Sequence, residues 1–400
     1  MGVRLLGTVA GLMISVAVGW EVYERTHDPL ALGLVGLFQF LPAILLSLVT
    51  GHVADRFDRR RVVGVCYGAL FAIAVLLALQ SRLTRHAVWP TYAMMAMFAV
   101  ARAFAGPAAQ AIVPDLVPAE IFSRAVAWNS MIFQAASILG PALGGWIFGF
   151  LGGAGKVYAC SAALYVVATC LVAAMRLRTG RMETKAMSLE TLLAGVVYVW
   201  KKKIILGSVS LDLFAVLFGG AVALLPVYAH DILKVGPLGL GILRTAPAVG
   251  ASTMAIVIAY RPLKRRVGAT MLACVALFGL ATVVFGLSRS FALSLAALVV
   301  VGAADMVSVV VRHTLVQVAT PGAMRGRVSA VNQVFIGASN ELGELESGVT
   351  ASWFGTVPAV VLGGVAAVVV VVVYAFRFPE LRQAETLELE EARDVTAAGG

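Results

Sequence analysis

Twelve apolar stretches, each about the length of a membrane-spanning helix, run through this chain between short charged or Pro/Gly-rich breaks. A spanning helix takes ~20 predominantly apolar residues. The expected limits are 4–22, 30–50, 62–80, 90–113, 125–149, 153–175, 204–228, 238–259, 269–287, 291–317, 329–354 and 357–376. Composition leaves no soluble alternative. Of 400 residues, 60% are hydrophobic and only 13% charged, against ~25% charged in ordinary soluble domains. That is too little polar surface for a water-soluble globule and too much apolar residue for a disordered, collagen-like or disulfide-dense chain. The first stretch is longer than the apolar core of a signal peptide. It runs without a small-residue cleavage site into Glu21 and Tyr23–Asp28, and reads as a retained helix.

Orientation follows from the basic residues. Of 31 Lys and Arg, 22 fall on one set of loops together with both tails, 6 on the opposite set, and Arg102, Arg244 and Arg312 inside spans. The positive-inside rule then makes both termini cytoplasmic. The net charge of +10 is mostly this topology signal. Its dispersal over seven cytoplasmic segments argues against a nucleic-acid partner.

Residues 1–175 and 204–377 are expected to form two six-helix bundles, joined by a 176–203 linker. Within the linker, Leu189, Leu192, Leu193, Val196 and Trp200 recur at helical spacing before Lys201–Lys203. This predicts an amphipathic helix at the cytoplasmic lipid interface. The acidic segment 378–400 reads as a disordered tail. Cys66, Cys160, Cys170 and Cys274 fall inside spans without a CxxC and read as small buried residues. No metal site, cofactor site, phosphate-binding glycine loop, HExxH or GxSxG is legible.

The two halves repeat. A shift of 203 residues lays Pro118–Phe148 on Pro321–Ala351 without a gap. Pro118/Pro321, Arg124/Arg327, Asn129/Asn332, Gly140/Gly343 and Gly145/Gly348 then coincide. Such a repeat suits two bundles related by an axis along the membrane normal, with a substrate site near mid-membrane between them. The same register sets Arg102 against Asp305. The two are expected to line a central cavity and to interact when it closes on one side; pairing of each within its own bundle is the alternative.

Ionisable residues inside a span cost ~2.5–3.5 kcal/mol each on the insertion scale and seldom face lipid. The C-terminal half holds Asp212, Asp305, Glu341, Glu344 and Glu346 against only Arg244 and Arg312. A buried carboxyl without a basic partner takes up a proton rather than remain charged. A group protonated when buried and ionised when wetted is what coupling to a proton gradient requires. All five acids are therefore candidate proton-coupling groups. Glu341 and Glu344, at i, i+3, are candidates for sharing a proton. By depth, Arg312 suits Asp212 and Arg244 suits Glu346. The competing reading is that these carboxyls only hydrogen-bond neighbouring helices. Arg102, Arg312, Gln39, Gln134, Asn129, Asn332 and His313 are candidate cavity-lining polar groups.

Two short motifs add to this. Gly51, Asp55, Arg56, Arg59 and Arg60 belong to a basic loop, Gly51–Arg61, joining the second and third helices. Glycine there permits close helix approach, while Asp55 can accept from arginines or face a helix N-terminus, which suits a gate. In the fifth helix Gly140, Pro141, Gly144 and Gly145 combine a kink with small-residue packing, either as pure packing or as a moving element.

Taken together these residues resemble the major facilitator superfamily. Gly51–Arg61 is similar to its loop motif between helices two and three, with Asp58 where glycine is usual. Gly140–Gly145 resembles the motif associated with proton-coupled antiporters. Ser210–Gly220, Gly302–Pro321, Met324–Asn332 and Phe335–Gly355 resemble the bacterial enterobactin-exporter family within it. The resemblance implies an all-α membrane protein of the major-facilitator fold, twelve transmembrane helices in two pseudo-symmetric six-helix bundles. It further implies a monomeric, proton-driven exporter in the bacterial cytoplasmic membrane. The expected cargo is a small organic molecule such as a siderophore or an amphiphilic toxic compound. An importer, a lipid flippase and a transport-inactive sensor or scaffold remain alternatives. An intramembrane enzyme is disfavoured, since no activated nucleophile or metal cluster accompanies the carboxyls.

Overall fold

The computed structural model describes residues 1–83, 87–116, 122–175, 189–263 and 266–384, and every regular element among them is helical. In order these are α1 (Gly2–Thr26), α2 (Pro29–Arg56), α3 (Arg59–Leu83), α4 (Trp89–Leu116), α5 (Phe122–Leu151), α6 (Ala154–Ala174), α7 (Leu189–Lys201) and α8 (Lys203–Phe218). A broken segment follows: a 3₁₀ turn (Ala221–Leu224), the single turn α9 (Leu225–Val227) and a π turn (Tyr228–Ile232). The remainder are α10 (Gly236–Tyr260), α11 (Val267–Leu287), α12 (Phe291–Val318), α13 (Gly322–Phe354), α14 (Thr356–Arg377) and α15 (Pro379–Arg382). Eleven helical stretches among the described residues are long and apolar enough to cross a membrane. The expected eleventh span, in α13, is not among them. At 33 residues it is long enough, but Arg325, Arg327, Glu341, Glu344 and Glu346 lower its hydropathy.

Local chemistry sets the boundaries. His27 ends α1 with a left-handed backbone (φ 49°), and Asp28 then caps α2, accepting from the Leu30 N–H at 2.9 Å ahead of Pro29. At the next junction Asp58 accepts from the Arg60 N–H at 2.9 Å. The expected Gly51–Arg61 loop is accordingly much shorter. Gly51–Arg56 are the last turns of α2, and only Phe57 and Asp58 separate it from α3. The surroundings of Gly51 and the side chain of Asp55 lie outside what the structure describes.

The chain divides into two compact units. The first contains Met1–Met187, Val222–Ala248 and Gly348–Thr356. At its centre α1 packs on α5, α6 and α2, and Val9, Ala10, Met13, Ile14, Val16, Ala17 and Val18 bury every side of it, as a helix apolar all round requires. The second contains Ser188–Ala221, Val249–Ser347 and Val357–Gly400, with a core that includes Leu211, Met271, Val275, Val307, Val311 and Val371. The division runs through helical segments beside residues that weaken a helix at Gly219–Gly220 in the seventh expected span, Pro247 in α10 and Gly348 in α13, and again at the first residue of α14. The expected single seventh span is thus interrupted. Gly220 abuts the Gly343 carbonyl of α13, where a Cβ would come within 2.9 Å.

The expected amphipathic helix is present as α7: Val196 and Trp200 of its apolar face are exposed, and the flank of that face packs on protein. Val199 joins a core with Val316, Val328 and Val331, and the Tyr198 hydroxyl donates to the Ala319 carbonyl at 3.1 Å. The tail is ordered at its start: α15 buries Leu381, and the Gly268 N–H donates to the Ala384 carbonyl at 3.1 Å. Residues 385–400 lie outside the described residues. A Cβ at Gly195 would lie 2.9 Å from the Arg327 carbonyl oxygen, whereas one at Gly326 would meet nothing within 4 Å. Gly195→Leu is expected to destabilise the protein by about 1–3 kcal/mol through overpacking, and Gly326→Leu not to. Thermal unfolding of the purified protein in detergent checks this; equal stability of both variants would refute the docking of α7.

Candidate functional site

In the second unit α8 and α12 bring two opposite charges together out of water. Asp212 on α8 and Arg312 on α12 are 5% and 2% exposed, and the guanidinium Nη1 pairs with the carboxylate Oδ2. This is one of the two depth-based pairings expected from the sequence. The charge of Asp212 is thus compensated on the spot. The Nε of Arg312 has no hydrogen-bond partner among the described residues.

Beside the pair lies a small cavity, of the order of a water molecule, with Asp212, Asp305, Ser308 and Phe278 in its wall. Asp305, Ser308 and Arg312 share one face of α12 because they are spaced i, i+3 and i+7. Asp305 makes no ion pair among the described residues. The Ser308 hydroxyl is fully buried and has no hydrogen-bond partner among the described residues. Serine inside a helix ordinarily bonds back to a preceding carbonyl, as Ser210 does to Leu206, so an unused hydroxyl beside a carboxylate stands out.

On α13, Glu341, Glu344 and Glu346 are half-buried, and each is engaged with neighbouring groups. Asn332 is buried with its Oδ1 unpartnered, while its repeat-mate Asn129 on α5 is half-buried, as are Gln134 and Gln39. Gln39 only reaches back to the Val35 carbonyl at 3.5 Å. Arg102, in the middle of α4, is exposed with its guanidinium 5.7 Å from the centre of the Phe98 ring, within cation–π range. His313 is half-buried. Arg244 donates to the Ser15 hydroxyl at 2.9 Å.

Some polar groups were not singled out by the sequence. Glu21 is buried and accepts from Arg25 (2.6 Å), Ser81 (2.6 Å) and Tyr158 (2.7 Å), tying α1 to α3 and α6. Its place at the end of an apolar run made it look like a terminus. Tyr23 donates to Asp231, with His27 and His230 beside them. Ser308 was legible only as one small residue in an apolar run.

In the basic junction, Arg60 donates to the Val172 carbonyl (2.9 Å) and to the Ala173 carbonyl at the end of α6, where a positive charge is favoured. Arg61 pairs with Asp58 at 3.6 Å. Arg56 is exposed and Arg59 half-buried.

The glycines of α5 make close helix crossings. A Cβ at Gly140 would meet Leu12 at 2.6 Å, one at Gly144 would lie 3.1 Å from the Met13 Cα, and the Pro141 carbonyl faces Gly241. Gly145 abuts Gly241 and the Pro237 carbonyl, where a Cβ would come within 2.7 and 2.8 Å. Its repeat-mate Gly348 abuts Gly33 and the Pro29 carbonyl at 2.7 and 3.0 Å. The repeat therefore extends to the partners: Pro29-x-x-x-Gly33 receives one glycine and Pro237-x-x-x-Gly241 the other. The crossings predict that Gly145→Val or Gly348→Val abolishes transport in a vesicle assay while Gly106→Val, where a Cβ meets nothing within 4 Å, leaves it intact. For the ion pair, Arg312→Met alone is expected to cost about 3–5 kcal/mol by stranding a buried carboxylate, and Asp212→Leu with Arg312→Met to recover most of it. Denaturation of the two variants decides; additive losses would refute a coupled pair.

Comparison with known proteins agrees with this architecture. The family model described as transmembrane secretion effector matches residues 3–397. The chain is 26% identical to the multidrug efflux pump Tap of Mycolicibacterium fortuitum over 88% of its own length and 90% of the relative. It is 24% identical to the enterobactin exporter of Shigella boydii over 82% and 78%. Similarity to the staphyloferrin A transporter of Staphylococcus aureus, 28%, covers only 33% and 34% of the two chains. Among solved structures, a bacterial homologue of the human lysosomal transporter Spinster superposes with a TM-score of 0.74 at 13% identity, over 95% and 94% of the chains. A D-xylose–proton symporter superposes with 0.69 at 15%, over 94% and 97%. The chain is a multi-pass membrane transporter, not an enzyme, and belongs to the transmembrane secretion effector family of the major facilitator superfamily.

Proposed function

We propose that this protein is a proton-coupled exporter of small organic molecules, working by alternating access in the bacterial cytoplasmic membrane with both termini in the cytoplasm. The observation that carries the reading is Asp305, an acid inside a membrane-spanning helix that lines a cavity and has no ion pair among the described residues. A carboxyl so placed exchanges a proton as water reaches and leaves it. Glu341 and Glu344 on α13 are the next candidates, and Asp212 positions Arg312. Arg102, Gln39, Gln134, Asn129 and Asn332 are assigned to the substrate path, and Arg56, Arg59 and Arg60 to the gate between α2 and α3. The glycine crossings at Gly145 and Gly348 part and re-form during the cycle. The protein acts as a monomer. Relatives named for exporting enterobactin and for multidrug efflux support siderophores or amphiphilic toxic compounds as cargo.

Proton movement in reconstituted vesicles tests the coupling. Asp305→Asn is expected to abolish substrate-dependent proton flux, and Glu341→Gln or Glu344→Gln to reduce it. Undiminished flux in all three would overturn the proton assignment. Absence of any substrate-dependent flux in the unaltered protein would favour a sensor or scaffold instead.

A further inference from the structure

The wall of the cavity beside α12 carries more negative charge than the described residues balance. Asp212 and Arg312 cancel, leaving the carboxylate of Asp305 as the uncompensated charge in its wall. Among the described residues no further cation pairs with it. Ser308, one helical turn along the same face, is 2% exposed and presents an oxygen with no hydrogen-bond partner. Three oxygen-bearing side chains thus converge on a space for one small occupant, and the ring of Phe278 is also in the wall. Oxygen ligands around a net charge of one negative suit a hard monovalent cation. A divalent ion would leave an excess positive charge in a low-dielectric interior, and an anion would add to the imbalance.

We propose that this cavity binds a single sodium ion, held by Asp305, Ser308 and Asp212. The proposal deepens the coupling reading, in that a sodium ion and a proton compensate the same carboxylate, but it stands or falls by a different measurement. A bound ion fixes α8 to α12 and so stabilises the protein by mass action.

The test is thermal unfolding of the purified full-length protein in NaCl against choline chloride at equal ionic strength and one pH. The expected result is a sodium-dependent rise in unfolding temperature that Asp305→Asn abolishes. Ser308→Ala is expected to weaken it, with half-saturation about tenfold higher for the loss of one ligand, and Glu380→Gln, in the exposed pair with Lys203, to leave it unchanged. Identical curves in the two salts, or a sodium effect that survives both Asp305→Asn and Ser308→Ala, would overturn the site. If proton flux persists without any sodium effect, this inference alone fails. If the sodium effect holds and no proton flux exists, the proton reading alone fails.

Discussion

The ion pair between Asp212 and Arg312 fixes the electrostatics of the second unit. Either charge alone inside a bilayer would cost several kcal/mol; together they allow α8 and α12 to carry polar chemistry at a depth where the surrounding core is Leu, Val and Met. With that pair balanced, each additional charge on the same face must find its own compensation. Asp305 finds none from arginine or lysine among the described residues. The proposed coupling rests on that shortfall: a buried carboxylate without a basic partner favours taking up a positive charge. Ser308 supplies a second oxygen at the same place.

Backbone chemistry supplies a second feature, helices packed at glycine-to-glycine crossings. Gly145 and Gly348 meet partner helices glycine to glycine, with hypothetical Cβ distances of 2.7 Å to the opposing Cα. Contacts of this kind are tight without interdigitated side chains, so they can open without repacking a jigsaw of large residues. That the same Pro-x-x-x-Gly partner appears on α2 and on α10 gives the internal repeat a physical meaning: both halves preserve a crossing, not merely a composition.

Much of this was legible in the residues. The apolar runs located the helices because hydrocarbon demands about 20 apolar positions, and the scarcity of in-span arginines made the Asp212–Arg312 pairing readable by depth alone. The break at Gly219–Gly220 was not, since Phe218–Leu225 is as apolar as any span and glycine there signals close approach to Gly343 only once α13 is in place. The start of α13 was missed by several residues because Arg325-Gly326-Arg327 reads as a loop. Amphipathicity identified α7, whose Val196 and Trp200 are exposed, but it does not record that Val199 at the flank of that face joins a protein core. Ser308 was unreadable for a related reason: a hydroxyl in a helix usually satisfies itself locally, and only its burial beside Asp305 shows that it does not.

In the proposed cycle Asp305 changes its protonation state as substrate moves. Infrared difference spectroscopy of the reconstituted protein, recorded as substrate is added, reads this directly through the carboxyl C=O stretch. The account predicts a carboxyl band that changes with substrate in the unaltered protein and vanishes in Asp305→Asn. A substrate-induced band that is the same in both proteins would place the titrating group elsewhere and contradict it.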